Sequence, residues 1–466
     1  KRLSGTADLF LVHDRPIVRH VDDSVVRVLM GRELVLRRAR GYAPLPIRVA
    51  VSTEAPVLAV GAHLKNTVAL SGGSNVFISQ HIGDLETQEA FHAFQGVCRD
   101  LPSLYGSRPE SLVCDMHPAY LSTQFAKGQD RQVVEVQHHY AHIASCMAEN
   151  ELDGTVLGVS WDGTGYGLDG TIWGGEFLVT TERSFQRVAS FRQFRLPGGE
   201  RAIREPRRTA IGILYEIFGD KLFERTNISV LNSFTESELR VIRQAIARGV
   251  NSPQTSSVGR LFDAVASFIG LRQRVNFEGQ AAMEVEFAIE ETETGEAYQF
   301  RISNREHGIG DSPKPDSAIR NPCPSGRRAQ STITIDWEPM ILGVLDDVNQ
   351  KTPACVISAK FHNSLVEIIL EIAKRVGEKR VVLSGGCFQN KYLTERAVRR
   401  LEATGFQPYW HQRVPPNDGG IALGQVFAAS RLRSKTDTIL DEKAVPQAVL
   451  ESDDVSDFRS GVEIRK

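Results

Sequence analysis

The chain has 466 residues, too many for one ordinary core, so two or more domains or lobes are expected. Its formal net charge of −2 gives no basis for non-specific attraction to nucleic acid or to an anionic membrane surface. No apolar run approaches the ~20 residues of a spanning helix, and the six cysteines (Cys98, Cys114, Cys146, Cys323, Cys355 and Cys387) form no CxxC pair, which argues against a structural zinc finger and for a reduced, cytoplasmic protein.

The first residue is Lys1 and no signal-like segment follows, so the chain is expected to begin inside a larger protein. Residues 1–50 hold short apolar runs that read as strands in need of partners, and Pro44 and Pro46 read as a linker. From Pro56 to Glu86, three β-rich runs separated by HLKN and SGGSN predict a meander. A helix is predicted near 84–100. It is followed by a strand (SLVCD), a helix, a strand (QVVEV), a histidine-bearing helix and a strand pair (TVLGVSWDGTGYG and TIWGGEFLVT). This order predicts an α/β unit over 48–200. Residues 201–256 read as a charged helical insertion, and the runs GRLFDAVASFIG and GQAAMEVEFAIEE open a second unit over 257–430. Within it, 303–330 reads as a surface loop, RVVLSGG as a buried strand entering a glycine turn, and PPNDGGIALGQVFAAS as a loop leading into a helix. Residues 431–466 read as a polar, disordered tail.

In HHYAH, His138 and His142 are four residues apart, so on a helix their Cβ atoms share one face at roughly 6 Å, and both imidazoles can reach one ion. His139 points elsewhere, and the pair alone lacks further ligands. Asp162 in WDGTGYG and Asp418 in PPNDGG are candidates, although an Asx-type turn and a helix cap explain them equally well one at a time. A His/His/Asp/Asp set favours a first-row divalent ion over calcium. Glycine turns follow apolar strands at Ser71–Gly73, Asp162–Gly167 and Ser384–Asn390, where backbone could approach phosphate closely; Gly163, Gly385 and Gly386 lie in the last two. No GxxxxGK[ST] loop is present, and no GxGxxG opens a βαβ unit.

Taken in order, QHHYAH, WDGTGYG, SVGRLFDAVA, NFEGQAAME, LSGGCFQN and PPNDGG resemble the hydrogenase maturation carbamoyltransferase family, HypF, from about Pro56 to Ala429. The region is also similar to the transferase domain of the tRNA threonylcarbamoyl-adenosine family. The resemblance implies an α/β fold of the actin/sugar-kinase/Hsp70 type, with two ribonuclease-H-like lobes and a nucleotide in the cleft. It implies that His138, His142, Asp162 and Asp418 hold a divalent metal, iron or zinc first and magnesium or manganese next, touching the nucleotide phosphate. It places Gly259 and Asp263 near the ribose, Glu278 and Gly279 beside the base or ribose, and Gly385, Gly386 and Asn390 around the nucleotide. It makes Lys65 a phosphate or carbamoyl contact and His139 an acid–base or orienting group. Residues 1–47 resemble the end of a YrdC-like domain that makes carbamoyl-adenylate; the acylphosphatase-like domain, zinc-finger modules and the bulk of that adenylating domain have no counterpart in this sequence.

For the complete family enzyme, the substrates implied are carbamoyl phosphate and ATP. The partner implied is a HypE-type maturation protein whose C-terminal cysteine thiol accepts the carbamoyl group of carbamoyl-adenylate, towards the cyanide ligands of a nickel–iron site. Neither membrane nor nucleic acid is an expected partner. Carbamoyl-adenylate is a mixed anhydride, so attack by a thiolate builds negative charge on the carbonyl oxygen and then on the phosphate. The nucleophile belongs to the partner, and Cys387 reads as a packed thiol in a glycine turn rather than as a nucleophile. Two alternatives stand beside this reading: an O-carbamoyltransferase acting on a small-molecule hydroxyl, and an inactive truncated nucleotide-binding relative. A sugar kinase fits less well, because magnesium–ATP chemistry does not need paired histidines.

Overall fold

The structure, a computed structural model, describes residues 5–12, 14–16, 19–50, 55–181, 183–305 and 332–431. The loop read at 303–330 and the tail read at 431–466 therefore lie outside the described residues, apart from the near end of each.

Two stretches of alternating and continuous apolar sequence fold by the same plan. In the first, Val57–Ala59, Ala69–Gly72 and Asn75–Ile78 form the predicted antiparallel meander. Ser111–Asp115 and Gln132–Val136 then add in parallel on the far side of Val57–Ala59. Pro46–Arg48 pairs with Asn75–Ile78 at the edge, which makes a six-stranded sheet among the described residues. In the second, Leu157–Tyr166, Ile172–Thr180 and Phe185–Phe191 form the meander, and Arg380–Ser384 and Gln407–Trp410 add in parallel beside Leu157–Tyr166. The inner parallel strands, Ser111–Asp115 and Arg380–Ser384, are buried on both faces, as their near-continuous apolar sequence requires, while Gln132–Val136 and Gln407–Trp410 at the edges are half-exposed.

The sequence reading placed residues 48–200 in one unit. Strand pairing divides them: the three strands from Leu157 to Phe191 belong to the second sheet, and the change of sheet falls between Glu149 and Leu157. Their parallel partner, Arg380–Ser384, lies far along the chain, and no local pattern announces such a pairing. Residues 201–256 are helical as read, but helix Pro206–Phe218 is not peripheral. It is buried from Pro206 to Leu214 and packs on helix Val258–Phe268 inside the larger core.

That core is centred on Trp161, fully buried among Phe177, Phe191 and Phe388 at centroid distances of 5.8, 5.5 and 5.8 Å. Each such ring is worth about 3 kcal/mol of burial. It anchors the strand one residue before Asp162. The last helix, Ile421–Ser430, crosses the histidine helix, His138–Glu149, at close range. A Cβ at Gly424 would lie 1.8 Å from the Ala141 carbonyl oxygen, so glycine alone permits this approach. Gln425 fixes the same helix to the first sheet, accepting from the Gly61 amide at 2.9 Å and donating to its carbonyl at 3.2 Å.

Residues Val25–Leu29 and Arg32–Arg37 form a hairpin. Arg27 docks it on the second part of the chain by a paired contact with Glu286, Nη1 at 3.0 Å and Nη2 at 2.5 Å. Val35 donates to the Gln412 carbonyl at 2.8 Å. Among the described residues, no helix is long and apolar enough to cross a membrane.

Helix Pro206–Phe218 starts at a knot of charge. Glu205 accepts from Arg201 at 2.7 Å, from Arg208 at 3.0 Å and twice from Arg207, at 3.0 and 2.8 Å. Burial alone would raise this carboxyl, but the three guanidinium groups hold it down at about 2. A depressed carboxylate stabilises the fold above its unfolded value and loses that effect as pH falls through the folded value. Glu205→Gln should therefore melt below the wild type at neutral pH, and the gap should close as pH drops from about 4.5 towards 2. A gap independent of pH, read by thermal melts across that range, would remove the charge from the explanation.

Candidate metal and nucleotide site

The histidine helix begins directly after the last parallel strand of the first sheet, with Gln137 as its cap; the Gln137 side chain accepts from the Tyr140 amide at 2.9 Å. This start fixes the rotation of the helix, and His138 and His142 face the same way, one turn apart. Asp162 comes from the second sheet. It was expected to open a turn after its strand, but the strand continues through it to Tyr166. Gly165 pairs with Trp173 and Trp161 with Gly175, so Asp162, Gly163 and Thr164 lie opposite Gly174 alone. Such a bulge re-aims a side chain, and here it carries Asp162. Asp418 sits in the short turn Asp418–Gly420 before the last helix. The capping role belongs to its neighbour: Asn417 Oδ1 accepts from the Gly419 amide at 2.9 Å, which leaves the Asp418 carboxylate free.

These four side chains converge as the sequence reading expected. One donor atom from each of His138, His142, Asp162 and Asp418 lies within 4.8 Å of all the others. His142 Nε2 is 3.1 Å from Asp162 Oδ2 and 3.7 Å from Asp418 Oδ1, and His138 Nε2 is 3.6 Å from each carboxylate. Ligands at about 2.1 Å around a tetrahedral ion stand roughly 3.4 Å apart, so the spacing fits a coordination shell. His138 Nε2 is buried with no hydrogen-bond partner among the described residues, which is the condition of a ligand atom facing a cation.

One residue that the sequence reading missed completes this geometry. Asp115, at the end of strand Ser111–Asp115, lies 2.7 Å from His138 Nδ1 through Oδ2. Its carboxylate accepts from the Nδ1–H and so leaves the Nε2 side of the ring facing the cluster. A carboxylate at the carboxyl end of a parallel strand was the available signal. Burial would lower His138, but Asp115 and Asp418 outweigh it and hold the imidazole well above its usual value. Burial would raise Asp162, but His138 and His142 hold it well below the carboxylate range. A field that favours a proton at this point favours a divalent cation too.

A second brace holds the helix from its other end. Buried Glu149 accepts from His411 Nδ1 at 3.0 Å and from the Gln412 amide at 3.0 Å. His411 Nε2 lies 2.8 Å from Ser384 Oγ, which donates to the His142 carbonyl at 2.8 Å. This chain joins the strand before the glycine turn to a candidate ligand.

The remaining expected residues divide into two groups. Gly163, Gly259, Gly385 and Gly386 all press on the backbone around Asp162. A Cβ at Gly259 would meet Gly163 Cα at 2.9 Å, one at Gly385 would meet the Trp161 carbonyl oxygen at 2.2 Å, and one at Gly386 would meet Asp162 Oδ1 at 2.6 Å. The Gly386 amide donates to that same oxygen at 3.2 Å and so leaves Oδ2 to the cluster. Asp263 is buried on helix Val258–Phe268, and burial pushes its carboxyl up to about 6 against the pull of Arg260. Lys65, from the first sheet's loop, and Glu278, from the second part of the chain, are hydrogen-bonded to each other, so the two meet across the gap between the sheets. Gly279 takes a left-handed conformation, φ +77°, at the start of helix Gln280–Phe287. Asn390 caps helix Lys391–Ala403 through Leu393 at 2.9 Å and donates to His362 Nε2 at 2.8 Å, so its side chain already has two protein partners. His139 is fully buried; its Nδ1 is 3.3 Å from Gln137 Nε2, and it packs under Gly165 with its ring centroid 5.4 Å from that of His138 and 6.4 Å from that of His142. Burial raises the Cys387 thiol well above its usual value, which makes it a poor nucleophile.

Comparison with known proteins agrees with this division of the chain. The model of the HypF Kae1-like domain matches residues 52–149, and that of the carbamoyltransferase Kae1-like domain, second subdomain, matches residues 158–425. The interval between them is where the strands change sheet. The fold is thus that of a Kae1-like domain pair. The chain belongs to the hydrogenase-maturation carbamoyltransferase family, HypF. The carbamoyltransferase HypF of Synechocystis sp. is 42% identical over 93% of this chain and 54% of its own length. That of Rhizobium leguminosarum bv. viciae is 36% identical over 91% and 52%. The chain spans about half the length of these curated relatives, whereas a carbamoyltransferase HypF homolog of Cupriavidus necator, 33% identical, is matched over 98% of its length. A crystal structure of full-length HypF in a phosphate- and nucleotide-bound form superposes with a TM-score of 0.82 at 42% identity, over 93% of this chain and 64% of that one. HypF of T. kodakarensis gives 0.78 at 29% identity, over 94% and 56%.

Outer partners of metal-bound histidines typically matter by 10–100-fold in affinity. Asp115→Asn should weaken metal binding by about that factor while leaving the fold intact, as measured by competition with a chromogenic chelator. Unchanged affinity would reduce the Asp115–His138 contact to packing.

Proposed function

We propose that this chain carries the transfer half of the family's chemistry. It accepts carbamoyl-adenylate and passes the carbamoyl group to the C-terminal cysteine thiol of a HypE-type hydrogenase maturation partner. The observation that carries this reading is the convergence of His138, His142, Asp162 and Asp418 beside the glycine turns at Gly163 and Gly386. In this reading the two sheets are the two lobes of an actin/sugar-kinase-like fold, and the hairpin at 25–37 is the end of an adenylate-forming domain.

In the transfer, the partner's thiolate forms a bond to the carbonyl carbon, the carbon–oxygen bond to the phosphate breaks, and AMP leaves with the electron pair. A divalent ion, if bound by His138, His142, Asp162 and Asp418, would supply positive charge that stabilises developing negative charge in the transfer. The protein's own groups orient and enclose. Asp115 and the Gly386 amide set the donor atoms of His138 and Asp162 before any ligand arrives, so little reorganisation is left to the reaction. Gly259, Asp263, Glu278 and Gly279 hold the nucleoside, and Lys65 stands at the phosphate or carbamoyl end. His139 acts by orienting the strand that carries Gly165, under which its buried ring packs.

Given carbamoyl-adenylate made by a separate adenylating domain, the chain should add about 43 Da to a partner ending in cysteine, the mass of carbamoyl replacing the thiol hydrogen. Mass spectrometry of the partner reads the result. An unmodified partner in the presence of bound nucleotide would contradict the assignment.

A further inference from the structure

Arg260 is the third residue of helix Val258–Phe268, and its side chain is only 6% exposed. Ser257 caps that helix, accepting from the Arg260 amide at 3.1 Å and donating to the Asp162 carbonyl at 2.6 Å. The start of the helix is therefore stitched to the bulge that presents Asp162. The guanidinium lies against Gly163, where a Cβ would fall 3.1 Å from Nη2. Any other residue at 163 would crowd it.

A buried guanidinium needs partners for its five N–H groups. Arg260 lacks them: Nε and Nη1 have no hydrogen-bond partner among the described residues. The nearest carboxylate oxygen, Asp263 Oδ2, stands 2.9 Å from Nη1 but out of hydrogen-bond alignment, and it too has no partner. The two groups attract without completing each other. An arginine fork matches the oxygens of a phosphate, and the amides at a helix start favour the same charge. Asp263 accepts hydroxyl protons, which a ribose offers. The pair thus presents one donor group and one acceptor group side by side, next to a candidate metal ligand.

We propose that Arg260 is a phosphate-positioning residue: its guanidinium binds an anionic oxygen of the nucleoside monophosphate part of the ligand, while Asp263 takes a sugar hydroxyl. This inference rests on the nucleotide reading of the cleft and adds to it a residue that discriminates nucleotide from nucleoside.

The test compares AMP with adenosine by titration calorimetry on the metal-loaded chain. Arg260→Met keeps the length of the stem and removes the donors. It should bind AMP at least tenfold more weakly than the wild type does, with adenosine affinity and metal content unchanged. Arg260→Lys, which keeps the charge and loses the fork, should fall between the two for AMP only. It serves as the reading if the methionine variant does not fold. Equal weakening for AMP and adenosine, or none for either, would overturn the role of Arg260 while leaving the nucleotide site standing. A wild-type chain that binds neither compound would overturn the nucleotide reading itself, and this inference with it.

Discussion

The close crossing of helices His138–Glu149 and Ile421–Ser430 is the constraint on which the site depends. It needs a residue without a side chain at Gly424, directly over the Ala141 carbonyl. The crossing fixes where the last helix begins, and so where Asp418 stands relative to His138 and His142. Widening it by the thickness of a methyl group would separate donors that now stand 3.6 and 3.7 Å apart. Asp162 enters from the other sheet, held by the buried Trp161 behind it and by the Gly386 amide beside it. Four donors from three separate segments are thus brought together by backbone contacts, not by the attraction of the donors for one another.

That distinction matters because the donors alone are a poor source of stability. Several buried ionisable groups in one place cost several kcal/mol each when unpaired. The fold offsets this by pairing the groups that brace the cluster. Asp115 serves His138, and Glu149 serves His411 and the chain that follows it. Ser384 passes that brace on to the His142 carbonyl. The places where pairing is left incomplete are therefore informative. Among the described residues they include His138 Nε2 within the four-donor cluster and the Arg260–Asp263 pair beside it. Both lie beside Asp162.

Much of this was legible in the sequence. The i,i+4 histidines, the meander from Val57 to Ile78 and the glycine turns after Ser71 and Ser384 follow local patterning, and the structure forms them as read. The four candidate ligands came from motifs in order, and the structure brings them together. What the sequence hid is long-range. Sheet membership of the strands from Leu157 to Phe191 depends on a partner at Arg380–Ser384, which local patterning cannot supply. The bulge at Asp162 looked like a turn because Gly163 and Gly165 signal both. Asp115 closes an unremarkable strand, and only the arrival of His138 gives it a role. Asn390 was read as a ligand contact, whereas its side chain caps a helix and meets His362. Lys65 and Glu278 were read as separate contacts, and their hydrogen bond shows only when the two parts of the chain meet.

The central claim is that two imidazoles and two carboxylates form one preorganised cation site. X-ray absorption spectroscopy on protein purified without chelator, together with metal analysis, tests this directly. The account predicts one divalent ion per chain, with a nitrogen and oxygen shell at about 2.1 Å and imidazole outer scattering from two rings. A sulfur shell, imidazole scattering from a single ring, or stoichiometric metal retained after His138 and His142 are both replaced by alanine would contradict it.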